Sequence, residues 1–380
     1  MERCCAHHGN GGVSRRNFLQ TSGAAVAFGA SAAMLGGNIQ IVRANNPDGM
    51  DTSNILNYNP DMEYRRCGRT ELMVSAISLG GHWKRLGDLL GRDVQSGNSW
   101  LGTDIEHPAF VENRDKIITR CIERGINYVD ACTHEEIRSY ARVLKGRRDK
   151  MYFGYSWDIW ECRDPAWRPL ERLKEGFVTG LKTAGLEYVD LWRIMFLEQS
   201  GQHEEKDVEA AMEALRWAKK EGLARFTGLS SHDRPHIMHM LDTYPDAIDV
   251  VVTPYFANTK IVTDESGLWA KLKKNDIGWF GIKPFASHSV FKGTSMPGDP
   301  NEKEDNRLAR MLLRCELCNE ALTAPIPGLI TEEQVDNAAL AILERRKLDQ
   351  TEQAEVEQAM TRAFASLPAH HEFFRDWTIV

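Results

Sequence analysis

One short segment brings together residue types that transfer protons. In "INYVDACTHEE" (residues 126–136), branched and aromatic residues lead into Asp130, and a thiol, an imidazole and two carboxylates follow. The apolar run is typical of a buried strand, so we expect Asp130 at a strand end. An imidazole such as that of His134 titrates near neutral pH, and an imidazole near a carboxylate is suited to general acid–base chemistry. Asp130 and His134 are therefore the candidate catalytic residues.

Strand-like and helix-like segments alternate along most of the chain, and eight strand candidates lie between residues 62 and 346. This alternation predicts a (β/α)8 barrel of the TIM type. A doubly wound open sheet is the alternative, but it would normally carry a G-x-G-x-x-G turn after its first strand. No such turn follows "AISLGG". Before the barrel, "EYRRCGRTELMVS" has the pattern of an N-terminal β-hairpin.

A barrel would gather the chemistry at one face, because active sites of such barrels lie at the carboxyl ends of the strands. We take the positions at those ends as candidates for catalysis and ligand binding. They are His82, Asp130 with His134, Ser156, Met195, Ser230, Ser231, His232, Tyr255, Lys283 and Gly328.

Five segments between Tyr64 and Arg345 resemble the aldo/keto reductase family in their order and spacing. They are "YRRCGRTELMVSAISLGG", "INYVDAC", "AGLEYVDLW", "KKEGLARFTGLSSH" and "APIPGLITEEQVDN". The resemblance implies a barrel that reduces a small carbonyl substrate with hydride from a nicotinamide cofactor. It also implies a catalytic set of Tyr, Lys, His and Asp, in which a neighbouring ammonium makes the Tyr proton easier to lose.

Only the Asp of this catalytic set has a counterpart in the chain. The resemblance places it at Asp130, while the Tyr position falls at His134 or Glu135. Ser156 stands at the Lys position and Met195 at the His position. Two interpretations remain open. Either His134 has become the proton donor, or Asp130 is a structural hydrogen-bond acceptor and His134 a solvated residue at a helix start.

The resemblance also implies a cofactor loop at "IPG", where Pro327 and Gly328 can bring backbone N–H groups close to a phosphate. Gln334 stands where many relatives carry an Arg for the 2′-phosphate of NADP. The adjacent Glu332 and Glu333 would repel that phosphate. The loop therefore favours NAD over NADP, or no dinucleotide.

Further cofactor contacts are expected at strand ends. Ser230 and Ser231 match a Ser-Asn pair of the family, and Tyr255 and Lys283 end two later strands. The family's Gln and stacking Tyr at the sixth and seventh strands are replaced by valine and isoleucine, which weakens the nicotinamide site. A catalytically silent barrel that binds a small ligand or a partner is therefore the alternative function.

A metal site is a further hypothesis. Imidazole and carboxylate groups suit zinc or iron, and such a site would make the chain a metal-assisted lyase or hydrolase. The residues that could converge are His82, Asp130, His134 and His232. They come from different strands, so their spacing gives no support, and we assign no metal. Cys315 and Cys318 have no second CxxC and are interpreted as core thiols.

The first 44 residues resemble a twin-arginine export signal. Arg15 and Arg16 precede a run of small apolar residues, and "VRA" at residues 42–44 suits a signal peptidase. The run is short and glycine-rich for a spanning helix. A membrane anchor or a chance arginine pair is the alternative. We expect recognition by the twin-arginine export machinery, a periplasmic mature protein and no membrane span after cleavage.

The remaining segments complete the predicted domain organisation. Residues 45–61, rich in Asn, Asp and Pro, read as an exposed linker, and residues 347–380 as a helical extension after the barrel. The net charge of −7 argues against a nucleic-acid partner. An apolar content of 42% is sufficient for a full core.

Overall fold

The computed structural model describes residues 2–3, 44, 46 and 49–367. In this part of the chain the predicted (β/α)8 barrel and the N-terminal hairpin are both confirmed. Almost all of the predicted export signal, including Arg15 and Arg16, lies outside the described residues.

Seven parallel strands form the barrel wall. Their bounds are β4 Tyr128–Ala131, β5 Tyr152–Tyr155, β6 Val189–Met195, β7 Ala224–Ser230, β8 Val250–Pro254, β10 Gly278–Ile282 and β11 Ala324–Ile326. Around the wall they follow the order β11-β10-β8-β7-β6-β5-β4. Two antiparallel pairs lie outside the wall. They are the hairpin β2 Tyr64–Arg66 with β3 Met73–Ser75, and β1 Glu2–Arg3 with β9 Lys260–Ile261.

The eighth strand position of the barrel is taken by the predicted first strand. In the structure this strand is only a short bridging segment at residues 78–81. On one side, Leu79 N donates to Tyr128 O over 3.0 Å. On the other, Gly80 N donates to Pro327 O over 2.8 Å. These hydrogen bonds join the two ends of the seven-stranded sheet. They also bring residues 80–82, the end of β4 and the "IPG" loop to one rim.

Helices surround this wall. Their bounds are Leu86–Leu90, Pro108–Glu123, His134–Val143, Leu170–Ala184, Glu205–Lys220, Arg234–Thr243, Leu268–Lys274, Glu302–Leu317, Glu332–Leu343 and Gln350–Ala365. Short 3-10 turns occur at Arg92–Val94, Arg148–Lys150, Asp158–Trp160, Pro165–Trp167, Ser200–Gln202 and Ala286–His288. Among the described residues, no helix combines the length and apolarity that crossing a membrane requires.

The helix Glu205–Lys220 packs one apolar face on the barrel wall. Val208, Met212 and Leu215 of Glu205–Lys220 are completely buried in the main core. Burial of such side chains is worth roughly 1.5–3 kcal/mol each, so this face anchors the helix to the barrel wall.

The C-terminal helix Gln350–Ala365 packs on Glu302–Leu317. Arg314 of the earlier helix pairs with Glu352 at 3.0 Å, and Val356 and Met360 join the apolar cluster beneath. Residues 350–365 therefore cover the helix that borders one end of the cavity described below.

Candidate active site

A cavity of about 710 Å³ opens at the carboxyl ends of the barrel strands and extends along helices Glu302–Leu317 and Glu332–Leu343. Nine of the predicted site residues line it. They are His82, Asp130, Met195, Ser230, Ser231, His232, Lys283, Gly328 and Gln334. Four predicted residues do not line it, and they are His134, Ser156, Tyr255 and Pro327. The structure thus brings most, but not all, of the predicted site together.

Asp130 is the next-to-last residue of β4 and is bound by a residue that was not predicted from the sequence. Arg193 of β6 donates from Nε to Asp130 Oδ1 over 2.9 Å and from Nη2 to Oδ2 over 2.5 Å. The Tyr128 hydroxyl lies 3.1 Å from Oδ1 and donates to it. Burial opposes the charge of Arg193, but Asp130 outweighs it and raises the pKa of Arg193 above its ordinary value. Asp130 therefore faces a fixed cation.

His134 lies away from this pair. It is the first residue of the helix His134–Val143, and its Nδ1 is 3.2 Å from Asp158 Oδ1. The hydrogen bond that His134 donates to Asp158 raises the pKa of His134 above its ordinary value. Because the helix starts only four residues after Asp130, the imidazole is directed to Asp158 and not into the cavity.

The positions matching the family's Lys and His bind a buried carboxylate instead of facing a substrate. Ser156 Oγ donates to Glu161 Oε2 over 2.5 Å, and Met195 N donates to the same oxygen over 2.8 Å. Trp192 Nε1 donates to Oε1 over 2.9 Å. Glu161 therefore ties the end of β5 to that of β6, and the Met195 side chain lines the cavity.

Two predicted cofactor contacts belong to the core. Tyr255 is buried against Trp279, with ring centroids 5.0 Å apart, and its hydroxyl accepts from Asn319 Nδ2 over 3.2 Å. Side chains near a strand end alternate between the two faces of the wall, and Tyr255 lies on the helix side. The backbone oxygen of Pro327 is occupied by Gly80 N, as part of barrel closure.

The remaining serines differ in their surroundings. Ser230 lines the cavity at the end of β7. Ser231 Oγ is 2.7 Å from Ser200 Oγ, which in turn lies 2.8 Å from His236 Nδ1. The Ser231 hydroxyl is therefore already part of a hydrogen-bonded chain beneath the cavity wall.

A cluster of three groups at the rim was not predicted as a unit. His82 Nδ1 lies 2.8 Å from Glu136 Oε1 and 3.5 Å from Cys132 Sγ. These ligand-type atoms all lie within 4.8 Å of one another. His82 and Cys132 line the cavity, while Glu136 is fully buried behind them. We refer to these residues as the His82–Cys132–Glu136 cluster.

The hypothetical metal set of the sequence analysis is not assembled. Of its members, His82 alone belongs to the cluster found in the described part of the chain. Asp130 is bound to Arg193, and His134 to Asp158. His232 lines the cavity, where burial lowers its pKa well below the ordinary value.

Cations surround the cavity mouth. Lys283 lies in left-handed backbone (φ 64°), and burial lowers its pKa below the ordinary value. Arg163 forms an ion pair of 3.6 Å with Glu198 across the mouth. Lys283 is therefore a cationic residue of the cavity wall whose backbone conformation is uncommon for a non-glycine residue.

The far end of the cavity lies beside the "IPG" loop. A Cβ on Gly328 would lie 2.7 Å from Gly81 O, so the close approach of the two rim segments requires glycine. Gln334 bridges two loops, accepting from Ile330 N over 2.9 Å and donating to Ser295 O over 3.0 Å. Arg85, also in the wall, has a buried Nη2 without a hydrogen-bond partner among the described residues.

Residues 111–360 match the aldo/keto reductase family. The chain belongs to that family. Four of the five resembling segments lie within this match. The expected resemblance to the family is therefore confirmed, and with it the coarse expectation of an aldo/keto reductase-like oxidoreductase. Members of the family use a nicotinamide cofactor as the hydride carrier.

Individual relatives are distant. L-glyceraldehyde 3-phosphate reductase of Escherichia coli O157:H7 is 24% identical over 263 residues, which cover 66% of this chain and 68% of the relative. The holo form of aldo-keto reductase AKR11C1 from Bacillus halodurans superposes with a TM-score of 0.56 at 18% identity, covering 82% of this chain and 99% of that one. An aldo/keto reductase from Klebsiella pneumoniae in complex with NADP and acetate gives a TM-score of 0.53 at 17% identity, covering 78% and 94%.

The cavity fits a dinucleotide at one end better than at the other. Its volume is within the range typical of ligand sites, about 300–1,000 Å³. The unpartnered Nη2 of Arg85 and the bare backbone of Gly328 suit a phosphate. At the other end, Met195, Val252 and Ile282 provide apolar walls where polar contacts would hold the nicotinamide amide.

Proposed function

We propose that this aldo/keto reductase-family chain binds a nicotinamide dinucleotide in the cavity and exchanges hydride with a small carbonyl or alcohol substrate. The observation that supports this is one continuous cavity. It extends from the buried Asp130–Arg193 pair to Gly328 and Gln334 at the far end. When bound, the cofactor would supply the hydride.

In this proposal, the protein's own residues bind and orient the two ligands. Arg85 and the backbone of Gly328 would hold cofactor phosphates, because both face the cavity and Arg85 lacks a partner for Nη2. Ser230 and Lys283 would contact the nicotinamide end. The apolar wall of Val252 and Ile282 would keep water from the reacting carbon.

We further propose a preference for NAD over NADP. Glu332 and Glu333 occupy the first turn of the helix beside the cavity. The neutral amide of Gln334 is already used by Ile330 and Ser295, so it supplies no positive charge there. A 2′-phosphate at this end would meet two carboxylates.

Proton transfer in the proposed enzyme differs from that of the wider family. Asp130 is held by Arg193, and no tyrosine follows it within five residues. His134, the donor suggested by the sequence, points to Asp158. Loss of a positioned acid typically costs about 10²–10⁴ in rate, so we expect slow reduction of simple aldehydes.

The test is a calorimetric titration of the mature protein with NADH and NADPH, followed by single-turnover oxidation of bound NADH with small aldehydes. Arg85→Ala is the informative variant, and it should weaken dinucleotide binding about tenfold by removing a charged hydrogen bond. Lys260→Ala, which removes an exposed cation outside the cavity wall, is the control. Absence of NADH and NADPH binding in the wild type would reject the proposal.

A silent binding barrel remains the second candidate function. The observation favouring it is that both Asp130 and Arg193 are buried and satisfied by each other. Tight NADH binding with no hydride transfer to any aldehyde or ketone would select this candidate.

Export by the twin-arginine route completes the proposal. It is supported by Arg15, Arg16 and the small apolar run that follows them. We infer a periplasmic mature protein that reaches its compartment already folded.

A further inference from the structure

We propose that the His82–Cys132–Glu136 cluster is a binding site for one divalent metal ion of the zinc class. Imidazole, thiolate and carboxylate are the three ligand types that zinc combines in proteins. Here one of each meets at the rim of the cavity, and their ligand-type atoms lie within 4.8 Å of one another.

The spacing of the donor atoms fits tetrahedral coordination. With zinc–nitrogen and zinc–sulfur bonds of about 2.0–2.1 and 2.3 Å, tetrahedral ligand atoms lie about 3.5 Å apart. The separation of His82 Nδ1 from Cys132 Sγ is 3.5 Å. His82 Nδ1 and Glu136 Oε1, at 2.8 Å, need to part only slightly to accept an ion between them.

Glu136 is held in place as a metal-binding carboxylate would be. Its Oε2 accepts from Cys132 N over 2.8 Å and from Thr133 N over 3.3 Å, and Oε1 accepts from His82 N. Hydrogen bonds of this kind orient ligating carboxylates and improve metal affinity.

The backbone is shaped around this carboxylate. A Cβ on Gly81 would lie 2.1 Å from Glu136 Cδ, so only glycine leaves room for the side chain. The next residue, His82, adopts left-handed backbone (φ 62°). Its ring packs edge-to-face on Trp100, with centroids 4.6 Å apart. The imidazole is therefore fixed on both sides.

The cluster leaves one side open to the cavity. His82 and Cys132 line the cavity wall, and Glu136 closes the site from behind. Three protein ligands and an open fourth position are the arrangement of catalytic zinc sites. A substrate carbonyl or hydroxyl oxygen could take that position, where a metal acts as a Lewis acid. This role rests on the proposed oxidoreductase function, whereas metal binding itself does not.

The experiment measures metal binding directly. The full chain is stripped with a chelator, reloaded with Zn²⁺ or Co²⁺, desalted and analysed for metal per chain. We expect about one ion per chain and, with Co²⁺, a thiolate-to-cobalt charge-transfer band in the near ultraviolet. Both should be lost in Cys132→Ser and strongly reduced in His82→Asn, since asparagine tolerates left-handed backbone.

Cys318→Ser is the matched control, because Cys318 is also a half-buried cysteine outside any disulfide. It should leave the metal content and the cobalt band unchanged. The melting temperature of each metal-free variant shows whether it folds, and Zn²⁺ should raise this temperature in the wild type but not in Cys132→Ser.

Three results would overturn the proposal. They are substoichiometric metal in the wild type, a cobalt band that survives Cys132→Ser, and a band that disappears with Cys318→Ser. The last result would place the metal at the Cys315–Cys318 pair. Titration with NADH is a separate measurement, so failure of the metal site and failure of the oxidoreductase proposal can be told apart.

Discussion

Arg193 of β6 and Asp130 of β4 form a two-point ion pair across the intervening strand β5, Nε to Oδ1 at 2.9 Å and Nη2 to Oδ2 at 2.5 Å. Both side chains are nearly inaccessible to solvent. In the family, the carboxylate at this position supports a proton-donating tyrosine. Here it neutralises a buried guanidinium, and that difference changes what a substitution at Asp130 should do.

The first prediction concerns this pair. Asp130→Asn leaves Arg193 buried without its counter-charge, and breaking a buried pair in this way costs about 3–5 kcal/mol of unfolding free energy. Urea denaturation of the wild type and the variant measures the loss. Any hydride transfer should persist in the fraction that remains folded, because Asp130 is not the proton donor in our proposal.

The control for that prediction is an exposed pair. Arg66 and Asp276 are joined at 2.5 Å, but both side chains are about half exposed. Exposed pairs contribute about 0–1 kcal/mol, so Asp276→Asn should change stability little. Equal losses in the two variants would contradict the role assigned to Arg193.

The second prediction concerns cofactor preference. Replacing both Glu332 and Glu333 with Gln removes two carboxylates from the first turn of a helix, where negative charge opposes a further anion. NADPH affinity should rise several-fold, while NADH affinity should change little. Calorimetric titration with both cofactors provides the measurement. Tighter NADPH binding by the wild type would show that these acids do not select the cofactor.

The fold was predictable because its evidence is distributed along the chain. Strand-like runs, helical periodicity and a hairpin turn recur in the order that a barrel requires, and each is local. The predicted first strand is present but is shorter than expected. Residues 78–81 form hydrogen bonds to each neighbour over only a short stretch, so the segment makes isolated bridges at Leu79 and Gly80 instead of a regular strand.

Parts of the site could also have been found in the sequence. Arg193 lies within the apolar strand "VDLWRIM", and a charged residue in a buried strand must be paired. Thr133 and Glu136 have the T-x-x-E spacing of a capping box, which the structure contains. That pattern predicts that the helix starts at His134. It also predicts that the Glu136 side chain bends back to the backbone N–H of Thr133, at the rim of the barrel.

Other features required three-dimensional packing. Whether Tyr255 faced the cavity or the helix layer depended on a single residue of register at the end of β8. The meeting of His82 with Cys132 and Glu136 joins positions 50 and 54 residues apart. Such a contact follows from barrel closure and leaves no local pattern in the chain.

The third prediction concerns export. Replacing Arg15 and Arg16 with Lys keeps the charge but removes the arginine pair by which the signal would be recognised. Precursor should accumulate in the cytoplasm, and the periplasmic fraction should fall. Immunoblotting of the two fractions measures the change. Arg43→Lys, next to the predicted cleavage site, is the matched substitution, and undiminished periplasmic protein in the Arg15/Arg16 variant would reject the twin-arginine interpretation.

The fourth prediction concerns the pH dependence of stability at His134. Its pKa in the folded protein is raised above 6.5 by the hydrogen bond that it donates to Asp158, with Glu135 acting in the same direction and Arg138 opposing it. The folded state therefore binds the proton more tightly than the unfolded state. The stability from this pair is fully present below pH 6.5 and is lost as the pH rises through the raised pKa.

His134→Gln should therefore be less stable than the wild type at about pH 5.5 and nearly equal to it at about pH 8.5. The pair is partly exposed, so the difference at acid pH should stay within about 1 kcal/mol. Urea unfolding at the two pH values gives the comparison. His239→Gln, which removes a more exposed histidine 3.4 Å from Glu205, should show a smaller change.

Turnover should be unaffected by His134→Gln, because the imidazole lies outside the cavity wall. A loss of turnover that follows the titration of His134 would instead return this residue to the role of proton donor.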